Sequence, residues 1–125
     1  MEVANNPIDE RFSVISAIRD GNQATYEVLT NLDKDVNYIG QIFPDLILRD
    51  KTTKLPVFII EVKRNGQVAQ CIQQWKSAPS IPATLYIVVP ETELQNAKSV
   101  ASVVGLQTKF GWYKVTSAGV TVKYE

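Results

Sequence analysis

The sequence predicts an α/β fold, a mixed central sheet flanked by helices. Three observations carry this. Val57 to Arg64 (VFIIEVKR) and Thr84 to Val89 (TLYIVV) are short apolar, β-branched runs of strand length. Between them, Val68, Ile72 and Trp75 recur at helical spacing within Gln67 to Ala78. A strand–helix–strand unit of this size is a crossover, so its two strands are expected to be parallel and the connection right-handed. Upstream, Tyr38 to Arg49 is expected to fold back antiparallel on Val57 to Arg64 across the polar turn DKTTKLP, which makes the sheet mixed.

The remaining elements follow in order. Pro7, Ile8, Phe12, Ile15 and Ile18 or Ala17 describe an amphipathic first helix. Pro7 suits a first-turn position, and Gly21 suits the stop. Ala24 to Asn31 is ambiguous between a strand and a second short helix, with Thr25, Tyr26 and Val28 leaning towards strand. Tyr38 to Arg49 reads as a strand interrupted at Phe43-Pro44. Asn65-Gly66 ends the strong strand, and Pro79 and Pro82 end the helix after it. Glu91 to Val104 has acids in its first turn and Gly105 beyond its end, the polarity of a helix. Lys109 to Thr116 and Val120 to Tyr124 form a terminal hairpin about Ser117-Ala118-Gly119.

Composition narrows the chemistry. A chain of 125 residues with 45% hydrophobic residues suits a single packed domain spanning residues 1–125. There is no His and one Cys, Cys71. His general bases, intrachain disulfides and multi-Cys metal sites are therefore excluded, and any metal chemistry runs on oxygen ligands, which favours Mg²⁺ or Mn²⁺. The N-terminus lacks an apolar signal core, and no apolar run is long enough to span a bilayer, so a cytoplasmic location away from membranes is expected. Thirteen acids balance thirteen bases, but unevenly. Residues 1–45 hold eight acids and three bases, whereas residues 46–90 hold six bases and two acids. The neutral total opposes a freestanding basic coat protein, and the basic middle leaves room for a local functional face.

Strand alternation puts Val57, Ile59, Glu61 and Lys63 on one face of the strong strand. Charges at the rim of an apolar face are costly unless paired or used. A symmetric hairpin sets Arg49 opposite Val57, Ile47 opposite Ile59, and Asp45 opposite Glu61, whereas a shift by two residues would keep the faces and change the partners. Two carboxylates facing each other repel, and a divalent cation between them reverses that. Lys63 then lies beside whatever the cation holds. Such a trio is suited to phosphodiester hydrolysis without histidine.

These residues, Pro44-Asp45 followed by Glu61-Val62-Lys63 after a turn, resemble the PD-(D/E)XK nuclease superfamily. The resemblance covers about Ile8 to Val89. It implies a restriction endonuclease-like αβββαβ core, with the C-terminal helix and hairpin as additions. It implies that Asp45 and Glu61 are metal ligands for Mg²⁺ or Mn²⁺ and that Lys63 is the catalytic lysine. Many members add an acid on the first helix; Glu10 is the candidate, with Glu27 the rival if residues 24–32 are helical. Some use a polar residue, often Gln, on the helix after the E-x-K strand, which points to Gln70 and Gln74 among the stripe Gln67, Gln70 and Gln74. The implied function is a metal-dependent nuclease cleaving DNA, as a homodimer. The alternative is a catalytically inactive module of the same fold, binding DNA or a partner subunit within a larger restriction, repair or defence system.

Overall fold

A computed structural model describes residues 7–32, 35–64, 66–78 and 83–125. Helix α1 (Pro7–Asn22) leads into strand β1 (Glu27–Thr30), then β2 (Leu46–Arg49), β3 (Pro56–Val62), α2 (Val68–Lys76), β4 (Thr84–Pro90), α3 (Leu94–Val104), β5 (Lys109–Thr116) and β6 (Gly119–Tyr124). The six strands form one mixed sheet in the order β1-β2-β3-β4-β5-β6. β3–β4 and β4–β5 are parallel, and the other three pairings are antiparallel. The segment 24–31 thus contributes a strand, as its Thr25, Tyr26 and Val28 allow. Asn65, Pro79 and Pro82, read as stop signals, lie outside the described residues.

The sheet is covered on both faces, so β3 and β4 are apolar nearly throughout. On one face Val14, Ile15 and Ile18 of α1 pack on Leu46, Leu48, Ile60, Val62, Val88 and Tyr113. On the other, Val68, Cys71, Ile72 and Trp75 of α2, with Ala97 and Ala101 of α3, pack on Ile59, Ile87 and Val89. Single-residue alternation along β3 therefore feeds two separate cores, and Glu61 falls on the α2 side.

Several expected details differ. Phe12, assigned to the apolar stripe of the first helix, is 53% exposed. Val14 takes its place, because the sheet meets the helix on the 14–15–18 face. Gly21 lies within α1 rather than beyond it. Only Leu46–Arg49 of the segment Tyr38 to Arg49 is a strand; before it, Ile39 and Ile42 close a small bridge over a turn in which Gly40 has φ 60°. Glu91–Glu93 is a 3-10 turn ahead of α3. Gly105 ends α3 at φ 83°, its N–H donating to the Ala101 carbonyl at 2.8 Å, as a left-handed cap requires.

The C-terminal hairpin is part of the central sheet, with Val88 paired to Gly111. Gly111 allows a close approach there: a Cβ at this position would stand 2.7 Å from the Lys123 carbonyl oxygen. Gly111→Ala is expected to destabilise the protein by about 2–3 kcal/mol, through overpacking between fixed backbones. Urea unfolding measures it, and an unchanged midpoint would show that β6 can yield.

Candidate functional site

The register of β2 on β3 pairs Leu46 with Ile60 and Ile47 with Ile59. Continuing that ladder by one residue brings Asp45 opposite Glu61, in line with the symmetric hairpin. The far end departs from it. Arg49 pairs with Pro56 instead of Val57, because a bulge between Leu48 and Arg49 absorbs one residue. The slip lies beyond the paired carboxylates and leaves them in place.

Asp45 and Glu61 are 3% and 1% exposed. Burial of this kind requires partners, and the two strands supply them reciprocally. The Asp45 amide donates to Glu61 Oε1 at 3.1 Å. The Val62 amide donates to Asp45 Oδ2 at 2.7 Å. The Lys63 Nζ then reaches both acids, 3.3 Å from Asp45 Oδ2 and 3.5 Å from Glu61 Oε1. One ammonium thus serves two carboxylates.

Two further residues complete the cluster. The Trp75 indole N–H donates to Glu61 Oε2 at 2.7 Å. Arg11, from α1, reaches around to Asp45 Oδ1 and makes an ion pair with it. Neither role is legible in the sequence, where Trp75 reads only as core. A buried tryptophan needs an acceptor for its N–H, and that is the available signal. Arg11 carries none, because its partner is 34 residues away.

The electrostatics follow from burial. Desolvation drives the Glu61 carboxyl up to about 7 from its ordinary 4.5, with the Asp45 charge adding to the rise and Lys63 and Trp75 opposing it. For Lys63, burial pulls the ammonium down, but the attraction of Glu61 and Asp45 outweighs it, and its pKa is raised. Cys71 lies beside the cluster on α2; burial pushes its thiol up to about 12, so it stays protonated and is no nucleophile.

The remaining candidates stand apart from the trio. Glu10 neighbours Arg11 in sequence, but its Oε1 accepts from the Tyr113 hydroxyl at 3.3 Å, on the α1 side of the sheet. Glu27 lies on β1 at the opposite end of β2, paired with Arg49 and with Lys54 at 3.2 Å, and the strand assignment removes its claim as a helical acid. Gln70 and Gln74 are exposed on α2, and Gln67 Oε1 accepts from the Arg64 amide at 3.3 Å. Among the described residues, no group of three or more Asp, Glu, His or Cys gathers to hold a metal.

The pair nevertheless suits a hard divalent cation. Its donors are all oxygen, its two carboxylates are close enough to share one ammonium, and burial raises the Glu61 carboxyl even with Lys63 beside it, so that a further positive charge would favour its ionised form. Asp45 and Glu61 would be the residues to hold it. A cavity of about 250 Å³ lies elsewhere on the α1 face, lined by Tyr26, Phe58, Tyr86, Tyr124 and Asn22 among others. It is apolar and holds none of these carboxylates. No described helix is long and apolar enough to cross a membrane. Comparison with family models, curated proteins and solved structures returns no match to this chain.

Proposed function

We propose that the chain is a metal-dependent nuclease of the PD-(D/E)XK type, hydrolysing DNA phosphodiester bonds. The observation that carries this is the union of Asp45 and Glu61, from two adjacent antiparallel strands, with Lys63 between them. The order α1-β1-β2-β3-α2-β4 supports it, because it runs in the αβββαβ sequence of that superfamily's core. A bound Mg²⁺ or Mn²⁺ would supply an acidified water and a positive charge facing the phosphate. The chain's own residues do the rest. Asp45 and Glu61 would hold the ion, and the main-chain bonds to both carboxylates keep them oriented. Lys63, freed from its carboxylates, orients the attacking water or stabilises charge on the phosphate. Pairing two such domains as a homodimer would present one site to each DNA strand.

A specific observation favours a second reading, a catalytically inactive module that binds DNA or a partner subunit. Every carboxylate oxygen of the pair already has a partner, in Arg11, Val62, Lys63, Asp45 and Trp75.

Cleavage of plasmid and branched DNA with Mg²⁺ or Mn²⁺ decides between them. The nuclease reading expects EDTA-sensitive cleavage that falls by about 100-fold or more in Asp45→Asn and in Lys63→Met. DNA binding without cleavage would establish the second reading. Absence of both cleavage and metal binding would discard the first.

A further inference from the structure

We propose that Arg11 is a latch on Asp45 that a substrate phosphate releases, so that metal and DNA bind together and neither binds well alone. The inference rests on reading Asp45 and Glu61 as the metal ligands.

The charges in the cluster motivate it. Two carboxylates face two cations, Arg11 and Lys63, in a site where both acids are almost wholly buried. A divalent ion added to that set introduces two uncompensated positive charges in a low-dielectric environment, which is strongly unfavourable. An anionic phosphodiester beside the ion offsets part of the excess. It also offers Arg11 another partner.

Arg11 is built for such an exchange. Its side chain is 37% exposed, against 4% for Asp45, so it stands between the buried acid and solvent. Its contact with Asp45 uses Nη2. A guanidinium carries five N–H donors in a planar fork that fits phosphate as well as carboxylate. Turning from Asp45 Oδ1 to a phosphate oxygen would therefore cost Arg11 little and would bare the Asp45 oxygen for the ion. Lys63 is the poorer latch, because it sits deeper, at 21% exposure, and bridges both acids.

Coupling of this kind is reciprocal: DNA must tighten metal binding by the same factor as metal tightens DNA binding. The test uses Mn²⁺, whose free concentration is read by its electron paramagnetic resonance signal. The DNA probe is a short phosphorothioate oligonucleotide, in single-stranded and duplex form, which keeps the charge and resists hydrolysis. In the wild type, DNA is expected to raise Mn²⁺ affinity about tenfold or more, and Mn²⁺ to raise DNA affinity, read by anisotropy, by a matching factor. Arg11→Gln is expected to bind Mn²⁺ alone more tightly than the wild type and to lose most of the DNA-dependent gain. Arg11→Lys, which keeps a charge on the helix without the planar fork, guards against a folding defect and is expected to reduce the gain without abolishing it. Equal Mn²⁺ affinities and equal gains in wild type and both variants would overturn the latch while leaving the metal site intact. No Mn²⁺ binding in any protein, with or without DNA, would overturn the metal reading itself and the latch with it.

Discussion

Replacing Lys63 by methionine is expected to destabilise the metal-free protein by about 3–5 kcal/mol at neutral pH, the cost of removing one partner from a buried ion cluster. Methionine preserves most of the side-chain volume, so packing changes little. The loss is electrostatic. Asp45 and Glu61 are almost wholly buried, and Lys63 Nζ is the cation that contacts both. Without it, Arg11 remains on Asp45 alone, and Glu61 keeps only neutral donors from Trp75 and Asp45. The deficit is expected to shrink towards about pH 5, where Glu61 takes up a proton and ceases to need a cation. Urea unfolding of both proteins at the two pH values measures this. A deficit that is absent at neutral pH, or that does not change with pH, would refute the assignment of Lys63 as the shared counter-ion.

The second expected result concerns the wild type in EDTA. The folded-state pKa of Glu61 is raised to about 7 from 4.5, so the folded chain holds this proton more tightly than the unfolded chain does. The stability linked to this proton is fully present below about pH 4.5 and is lost as pH rises through about 7. The loss is on the order of 3 kcal/mol. Glu27 and Asp50 work in the opposite sense. Arg49 and Lys54 lower the first, and the Thr53 and Thr52 amides lower the second. Their contribution is present above the ordinary carboxylate range and is lost as pH falls through their depressed values. Thermal melts across pH are therefore expected to show the greatest stability near the lower end of the Glu61 window and a decline towards neutrality. Excess Mn²⁺ together with the phosphorothioate oligonucleotide is expected to remove the decline, because a metal ligand must be deprotonated and binding favours that form. A melting temperature that rises steadily from about pH 5 to 7 in EDTA would contradict the raised pKa.

Period-two alternation makes β3 legible from its residues alone. Ile59 and Glu61 share a face whatever the strand packs against, because successive side chains of a strand point to opposite sides. The carboxylate pair is legible only in part. The apolar residues of both arms fix which face of the hairpin is buried, but a shift by two residues keeps that face and changes the partners, and the pairing of Leu46 with Ile60 in the folded sheet is what sets Asp45 beside Glu61. The departures are equally specific. The bulge between Leu48 and Arg49 depends on how one turn closes, and hydrophobic alternation does not encode it. Ala24 to Asn31 is ambiguous in sequence because it is short and its β-branched residues tolerate either state. Phe12 falls outside the core because a helical stripe is wide, and only the tilt of α1 on the sheet decides which edge of it is covered.

By itself the sequence determined the mixed α/β class, the crossover from β3 through α2 to β4, and the placing of Glu61 and Lys63 on one face of β3, with the register that brings Asp45 to them one of the few it allowed. All of these rest on local periodicity and short-range pairing. Only the tertiary structure decided that β5 continues the central sheet beside β4, that Trp75 holds Glu61 from one face, and that Arg11 reaches Asp45 from the other. Those contacts join segments through the packing of helices across a sheet, where angle and depth are set by many side chains together. No spacing along the chain specifies them.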